Sequence, residues 1–224
     1  MREVVLDTET TGLDPAAGHR ILEIGCVELD NHVATGRTYH VYVDPERDVP
    51  EEAYKVHGLD RGFLSQYPPF AGVLDDFLAF IGEDPLIIHN AQFDMNFINA
   101  ELRWHGRATL AMSRAVDTVD MARRRFPGAQ VNLDALCKRF EVDNSGRELH
   151  GALLDCQLLA EVYLELRGGR QPGLALADNG RSGARTVPLA ERSYRAPRPH
   201  APSEAERAAH AAMLDKLNKP LWRQ

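Results

Sequence analysis

Long apolar runs are missing from this 224-residue chain. The longest, such as Val4–Leu6 and Leu86–Ile88, fall far short of the roughly 20 residues that span a bilayer. Glu3 and Asp7 break the N-terminus before a signal-peptide core could form, so the expected location is the cytoplasm, with no membrane partner. Cysteine is scarce as well. Cys26, Cys137 and Cys156 are an odd number without metal-ligand spacing, each set among apolar neighbours. They read as small buried hydrophobes, which excludes a disulfide framework and a thiolate metal site. Basic charge is in deficit, with 26 Lys and Arg against 33 Asp and Glu and a net charge of −7. That excludes a protein coating long nucleic acid through a basic surface, but leaves room for a pocket that takes one chain end. The imbalance is uneven, since residues 171–224 hold 9 Lys and Arg against 5 Asp and Glu. What remains, at 44% hydrophobic and 26% charged, is a soluble globular composition sufficient for one good core and an appendage.

Residues 1–168 read as one α/β domain. Val4–Asp7, Ile21–Leu29 and Arg37–Val43 alternate or run apolar with β-branched enrichment, and turns are expected at Leu13–His19 and Asp30–Gly36. Three strands in succession predict an antiparallel meander. Beyond Pro50 the apolar spacing becomes helical over Ala53–His57, Phe70–Ile81, Phe93–Trp104, Val119–Phe126, Leu133–Phe140 and Leu153–Leu166. Leu86–Ile88 and Ala115–Asp117 are short strands between these helices, so the prediction is a mixed β-sheet flanked by helices. Residues 169–203, rich in Gly, Pro, Arg and Ser, bury too little to offset their ordering entropy and read as a flexible linker. In the tail, residues 204–224, Ser203 and Glu206 have capping-box spacing before a short C-terminal helix that places Ala209, Met213 and Leu217 on one side. A helix this short is marginal alone and implies a partner.

Five residues carry the chemistry. Asp7 and Glu9, two apart on a strand, point to one face while Thr8 turns away, and both lie where the strand runs into Thr10, Thr11 and Gly12. Gly12 would supply conformational freedom there, with nearby N–H groups free to meet a terminal phosphate or sugar. A polar strand end at the surface is the plainer alternative. Asp94 follows the strand Leu86–Ile88 and an N-cap at Asn90, in the first turn of a helix, where the helix dipole alone is reason enough for an acid. His89 is equally a partner that orients a ligand or an ordinary half-buried histidine. His150 and Asp155 are five apart, about 140° around a helix, so they share a site only if the helix starts at Gly151 and His150 lies on a loop. A loop histidine suits a general base that reaches an attacking water, although a polar residue preceding a helix is a sufficient account of it. Carboxylates without a Cys or His set favour two hard divalent ions, Mg²⁺ or Mn²⁺, with Asp7 the natural bridging ligand. The Arg123–Arg125 run reads as a solvated helix face rather than a phosphate track.

D-T-E-T-T-G, H-N-A-Q-F-D and H-x4-D, in this order and at these separations, resemble the three motifs of the DEDDh 3′-to-5′ exonucleases over nearly all of residues 1–168. The resemblance implies a ribonuclease H-like fold, with Asp7, Glu9, Asp94 and Asp155 as metal ligands and His150 as general base. Proofreading members of the family carry an H-G-(I/L) element, here His57, Gly58 and Leu59, beside the terminal nucleotide, with Asn90 and Phe93 adjoining. From the residues alone, Leu59 and Phe93 are core. Gln171, Leu174 and Leu176 resemble the peptides that dock on the bacterial sliding clamp. The terminal stretch, with Met213, Leu217, Leu221 and Trp222, resembles the segment by which such proofreaders bind the DNA polymerase III alpha subunit, and the family leaves room for a small accessory subunit. The implied substrate is a single-stranded or frayed DNA 3′ end. The alternatives are a DEDDh exoribonuclease acting on RNA 3′ ends, which the five residues do not separate from the first reading, and a noncatalytic bridge between clamp and polymerase, which the intact catalytic set opposes.

Overall fold

The computed structural model describes residues 1–146, 149–169 and 201–216. Five strands, β1 (Arg2–Thr10), β2 (Ile21–Asp30), β3 (Val33–Tyr42), β4 (Leu86–Ile88) and β5 (Ala115–Asp117), form one sheet in the order β3-β2-β1-β4-β5. β1, β2 and β3 pair antiparallel, whereas β4 and β5 run parallel to β1. The meander and the mixed sheet are therefore as the residue pattern predicts.

Helices α1 (Glu51–His57), α2 (Arg61–Leu64), α3 (Phe70–Ile81), α4 (Ala91–Trp104), α5 (Thr118–Arg125), α6 (Leu133–Phe140) and α7 (Ala152–Leu166) follow, and α8 (Glu204–Leu214) lies in a separate unit, residues 175–224. The alternation of β1 decides which helices cover which face. Val4 and Leu6 pack with Phe70, Phe77, Phe97 and Ile98 of α3 and α4, while Val5 packs with Leu136 of α6 and Leu159 and Val162 of α7. Burying each such side chain contributes about 1.5–3 kcal/mol.

Two local expectations are corrected. The turn expected over Asp30–Gly36 is only Asn31 and His32, with φ of 49° and 70°, and β3 begins at Val33. Two consecutive left-handed residues make the tight hairpin whose twist matches its strands, so Gly36 stays within β3. The four-residue α2, capped where the Asp60 carboxylate accepts from Phe63 N, was not expected. In the other unit the capping box is present, Ser203 Oγ accepting from Glu206 N at 3.3 Å and Glu206 Oε2 from Ser203 N at 2.7 Å. No helix among the described residues is long and apolar enough to cross a membrane. Arg123, Arg124 and Arg125 are all exposed, and Arg125 also donates to the carbonyls of Glu165 and Leu166 at the end of α7.

Gly25 of β2, the cross-strand partner of Asp7, is where α7 meets the sheet. A Cβ at Gly25 would lie 2.3–2.5 Å from the backbone of Ala152 and Leu153, and Cys156 Sγ donates to Gly25 O at 3.1 Å. Only a residue without a side chain lets the first turn of α7 sit this low beside Asp7. Gly25→Ala is therefore expected to lift α7 and to destabilise the protein by about 1–3 kcal/mol, the usual range for overpacking. Urea denaturation reads this directly, and an unchanged midpoint would contradict the close approach.

Candidate active site

The site lies at the carboxyl ends of β1, β4 and β5, where open α/β sheets present their crevices. Asp7, Glu9, Asp94, His150 and Asp155 all line one cavity of about 590 Å³. Asp7 and Glu9 come from β1, Asp94 from the first turn of α4, Asp155 from the first turn of α7 and His150 from the loop before α7. Gly151 occupies the N-cap position of α7 in an extended conformation, so His150 is off the helix, as its spacing requires. His150 Nδ1 lies 3.5 Å from Asp155 Oδ2, with the imidazole about half exposed and the carboxylate buried. Glu9, His150 and Asp155 each offer a ligand atom, all within 4.8 Å of one another. The His150 loop rests on α1, its backbone N–H donating to Val56 O at 3.0 Å.

Thr8 does turn away from Asp7 and Glu9, but it is not idle. On the opposite face of β1 its backbone N–H and its hydroxyl both donate to Asp94 Oδ1, at 3.0 and 2.7 Å. This grip across 86 residues of sequence was missed, because a threonine between two acids carries no sign of its partner. Asn90 occupies the N-cap position of α4, yet its side chain caps nothing and its backbone is left-handed. The carboxylate of Asp117, at the end of β5, takes the N–H groups of Asn90 and Ala91 instead.

Burial and crowding set the electrostatics. Asp7 is pushed well above the usual carboxylate range by burial first, then by Asp94, Glu9, Asp155 and Glu23. Asp94 is pushed up to about 7, again mainly by burial, against the lowering effect of the Thr8 hydroxyl and of backbone N–H donors. Its place in the first turn of a helix does not outweigh that burial. A cluster that resists ionisation this strongly, built of hard oxygen donors with no cysteine among its walls, fits divalent cations as counterions.

A second cavity of about 580 Å³ shares Thr8, Glu9, Leu13 and Phe93 with the first and is lined further by Thr10, Thr11, Gly12 and His57. Several of these side chains are already engaged. Thr10 Oγ1 donates to Gly12 O at 2.6 Å, and Thr11 N donates to Arg20 O at 2.9 Å, so the N–H of Thr11 is not free for a substrate. Gly12 needs no unusual backbone; a Cβ there would strike the His19 ring at 2.4–2.6 Å, so glycine provides space rather than conformational freedom. His57 is buried, its Nδ1 accepts from Leu59 N at 3.0 Å, and its Nε2 has no hydrogen-bond partner among the described residues. Burial lowers the His57 pKa, Glu23 opposing that effect and His150 adding to it, which favours the neutral ring. Leu59 is half-buried and lines neither cavity. Phe93 is half-buried, packs against Phe97 with ring centroids 5.1 Å apart and faces both cavities. His89 lines the first cavity and has its Nδ1 2.9 Å from Thr118 Oγ1, so both of its readings describe part of it. Gln171, Leu174, Leu176, Leu217, Leu221 and Trp222 lie outside the described residues, and Met213 is half-exposed on α8.

Sequence reasoning missed Leu13 and Asn132. Leu13 is 85% exposed at the seam of the two cavities, and its only signal is an apolar residue inside a polar turn. Asn132 caps α6 by accepting from Ala135 N and lines the first cavity.

The raised Asp94 pKa makes a pH-dependent prediction. An unfolded Asp titrates near 4 and the folded one near 7, so the folded state binds the extra proton and this contribution to stability is lost as pH rises through that window. In the presence of a chelator, Asp94→Asn should gain stability relative to the parent between about pH 4 and pH 7, by up to about 4 kcal/mol. Denaturant midpoints at both ends of the window test this, and a constant difference between the two proteins would refute it.

A protein-family model described as Exonuclease matches residues 4–163. The DNA polymerase III subunit epsilon of Rickettsia felis is 58% identical over 181 residues, covering 80% of this chain and 79% of that protein. The subunit of the same name from Escherichia coli K12 is 44% identical over 237 aligned positions, covering 99% of this chain and 97% of its own length. Among solved structures, the nuclease domain of 3′hExo, a DEDDh family member bound to rAMP, superposes with a TM-score of 0.64 at 19% identity over 74% of this chain and 91% of that one. That likeness establishes the ribonuclease H-like fold. The chain belongs to the exonuclease family, in the group of the DNA polymerase III epsilon subunits, and is a 3′-to-5′ exonuclease.

Proposed function

We propose that this exonuclease proofreads DNA: it removes the 3′-terminal nucleotide of a single-stranded or frayed end as a 5′-monophosphate while held in a replicative polymerase assembly. The observation that carries the reading is the convergence of Asp7, Glu9, Asp94, His150 and Asp155 on one cavity. The four carboxylates would hold two divalent ions, Mg²⁺ or Mn²⁺, which when bound lower the pKa of the attacking water and stabilise the leaving 3′ oxygen. His150, half exposed on its loop beside Asp155, takes the proton of that water. The adjoining cavity receives the terminal nucleoside: His57 Nε2 supplies a hydrogen-bond donor, while Phe93 and the exposed Leu13 offer apolar surface to the base. An unpaired base costs least to draw in, which favours a misincorporated end. Membership among the epsilon subunits supports DNA over RNA and a place at the replication fork, in the cytoplasm.

The tail would supply the tether. Gln171, Leu174 and Leu176 are proposed to dock on the sliding clamp and Met213, Leu217, Leu221 and Trp222 on the polymerase alpha subunit, raising the effective concentration of the nuclease at the primer end.

Asp7→Ala should lose more than the roughly 100-fold that removing an outer partner of a metal site costs, yet fold at least as stably, because one of four crowded carboxylates is gone. A labelled single-stranded DNA with Mg²⁺ is the assay, with a matched RNA and a chelator as further arms; retained hydrolysis by this variant, or faster cleavage of the RNA, would overturn the proposal. In the full chain, Leu174→Ala with Leu176→Ala should abolish capture by the sliding clamp, and Leu221→Ala with Trp222→Ala capture by the polymerase, each leaving hydrolysis of a free oligonucleotide unchanged. Pull-downs in which all variants still bind both partners would reject the tail assignment.

A further inference from the structure

At the carboxyl ends of β4 and β5 lies a set of contacts that the proposed chemistry does not use. Asn90, which links β4 to α4, has φ 68° and ψ 56°, a left-handed conformation that asparagine adopts more readily than other non-glycine residues but that remains uncommon. Its own side chain makes no capping bond, so the acceptor for the N–H groups of this turn comes from elsewhere. The source is Asp117. Asp117 Oδ1 accepts from Asn90 N at 3.2 Å and from Val119 N at 2.8 Å, and its Oδ2 accepts from Ala91 N at 3.0 Å. One carboxylate thus satisfies N–H groups at the start of two helices, α4 and α5, which otherwise share no backbone bond. The adjacent Thr118, fully buried, reinforces the link: its hydroxyl donates to Ile88 O at 3.2 Å and meets His89 Nδ1 at 2.9 Å.

Asp94 stands three residues after Ala91 in the same first turn, so where α4 starts determines where that carboxylate enters the cavity. Thr8 fixes the carboxylate itself, but the backbone that carries it is fixed from β5. Asp117 does not line the cavity, so it acts through the turn and not by contact.

We propose that Asp117 is a positioning residue for the metal site: by holding Asn90 left-handed and seating the first turn of α4, it sets the geometry of Asp94 and with it the affinity for divalent cations. This rests on the metal-binding reading above. The charge of Asp117 also raises the Asp94 pKa slightly, so the hold on the turn must be separated from electrostatics. Asp117→Asn removes the charge but keeps one oxygen acceptor, whereas Asp117→Ala removes all three bonds.

The test is Mn²⁺ binding to the full chain, read from the paramagnetic resonance signal of free Mn²⁺, beside the melting temperature. Asp60→Ala serves as a control, since it removes a helix cap at α2, outside the site, and so lowers the melting temperature. Asp117→Ala should weaken Mn²⁺ binding by roughly 10-fold to 100-fold, as loss of an outer partner does. Asp117→Asn should weaken it less, and Asp60→Ala should leave it unchanged despite its lower melting temperature. Unaltered Mn²⁺ affinity in Asp117→Ala, or an equal loss in both Asp117 variants, overturns the positioning role. If Asp117→Ala does not fold, Asp117→Glu replaces it, because it keeps the charge but displaces the carboxylate from Asn90 N and Ala91 N: weaker Mn²⁺ binding at a normal melting temperature supports the inference and unchanged binding rejects it. Should the parent chain bind no Mn²⁺, the metal reading itself falls, and this inference with it.

Discussion

Carboxylates crowded into a buried space repel one another, and that repulsion at the end of β1 is the constraint to which the surrounding structure answers. Asp7 and Asp94 both lie far from their ordinary ionisation range, and burial is the first cause in each case. Such an arrangement is costly for the fold alone and makes sense for a site that receives positive charge. The elements around it act as clamps. Thr8 grips Asp94, the bare backbone of Gly25 admits the first turn of α7 that bears Asp155, and Asp117 seats the turn that begins α4.

The period of a strand explains how one short segment serves both sides of the sheet. Even-numbered residues of β1 face α3 and α4, so Val4 and Leu6 build one core and Thr8 ends that row by meeting Asp94. Odd-numbered residues face α6 and α7, so Val5 builds the other core, and Asp7 and Glu9 end that row beside Asp155 and His150. Asp7 and Glu9 thus extend one hydrophobic row, and Thr8 the other, past the point where packing stops. Apolar burial on each face locates the helices, and the helices locate Asp94 and Asp155.

Much of this was legible in single residues and their spacing. Alternation in Val4–Asp7, helical spacing in Phe70–Ile81 and the Ser203–Glu206 cap are local properties, governed by neighbours within a turn or a strand. The five-residue interval between His150 and Asp155 was informative because only a helix start at Gly151 lets both reach one place, and the helix does begin at Ala152. Less legible was the hairpin, where Asn31 and His32 turn the chain in two residues although the sequence through Gly36 has the composition of a loop.

The chain alone thus specifies its elements, its acidic residue types and the order of its motifs, because these depend on side-chain period and backbone preference over short distances. Which groups meet was settled by packing. Thr8 and Asp94 are 86 residues apart, Gly25 touches Ala152, and Asp117 reaches back to Asn90. No local signal marks such partners, since each pairing exists only once two apolar faces have closed on opposite sides of the same strand.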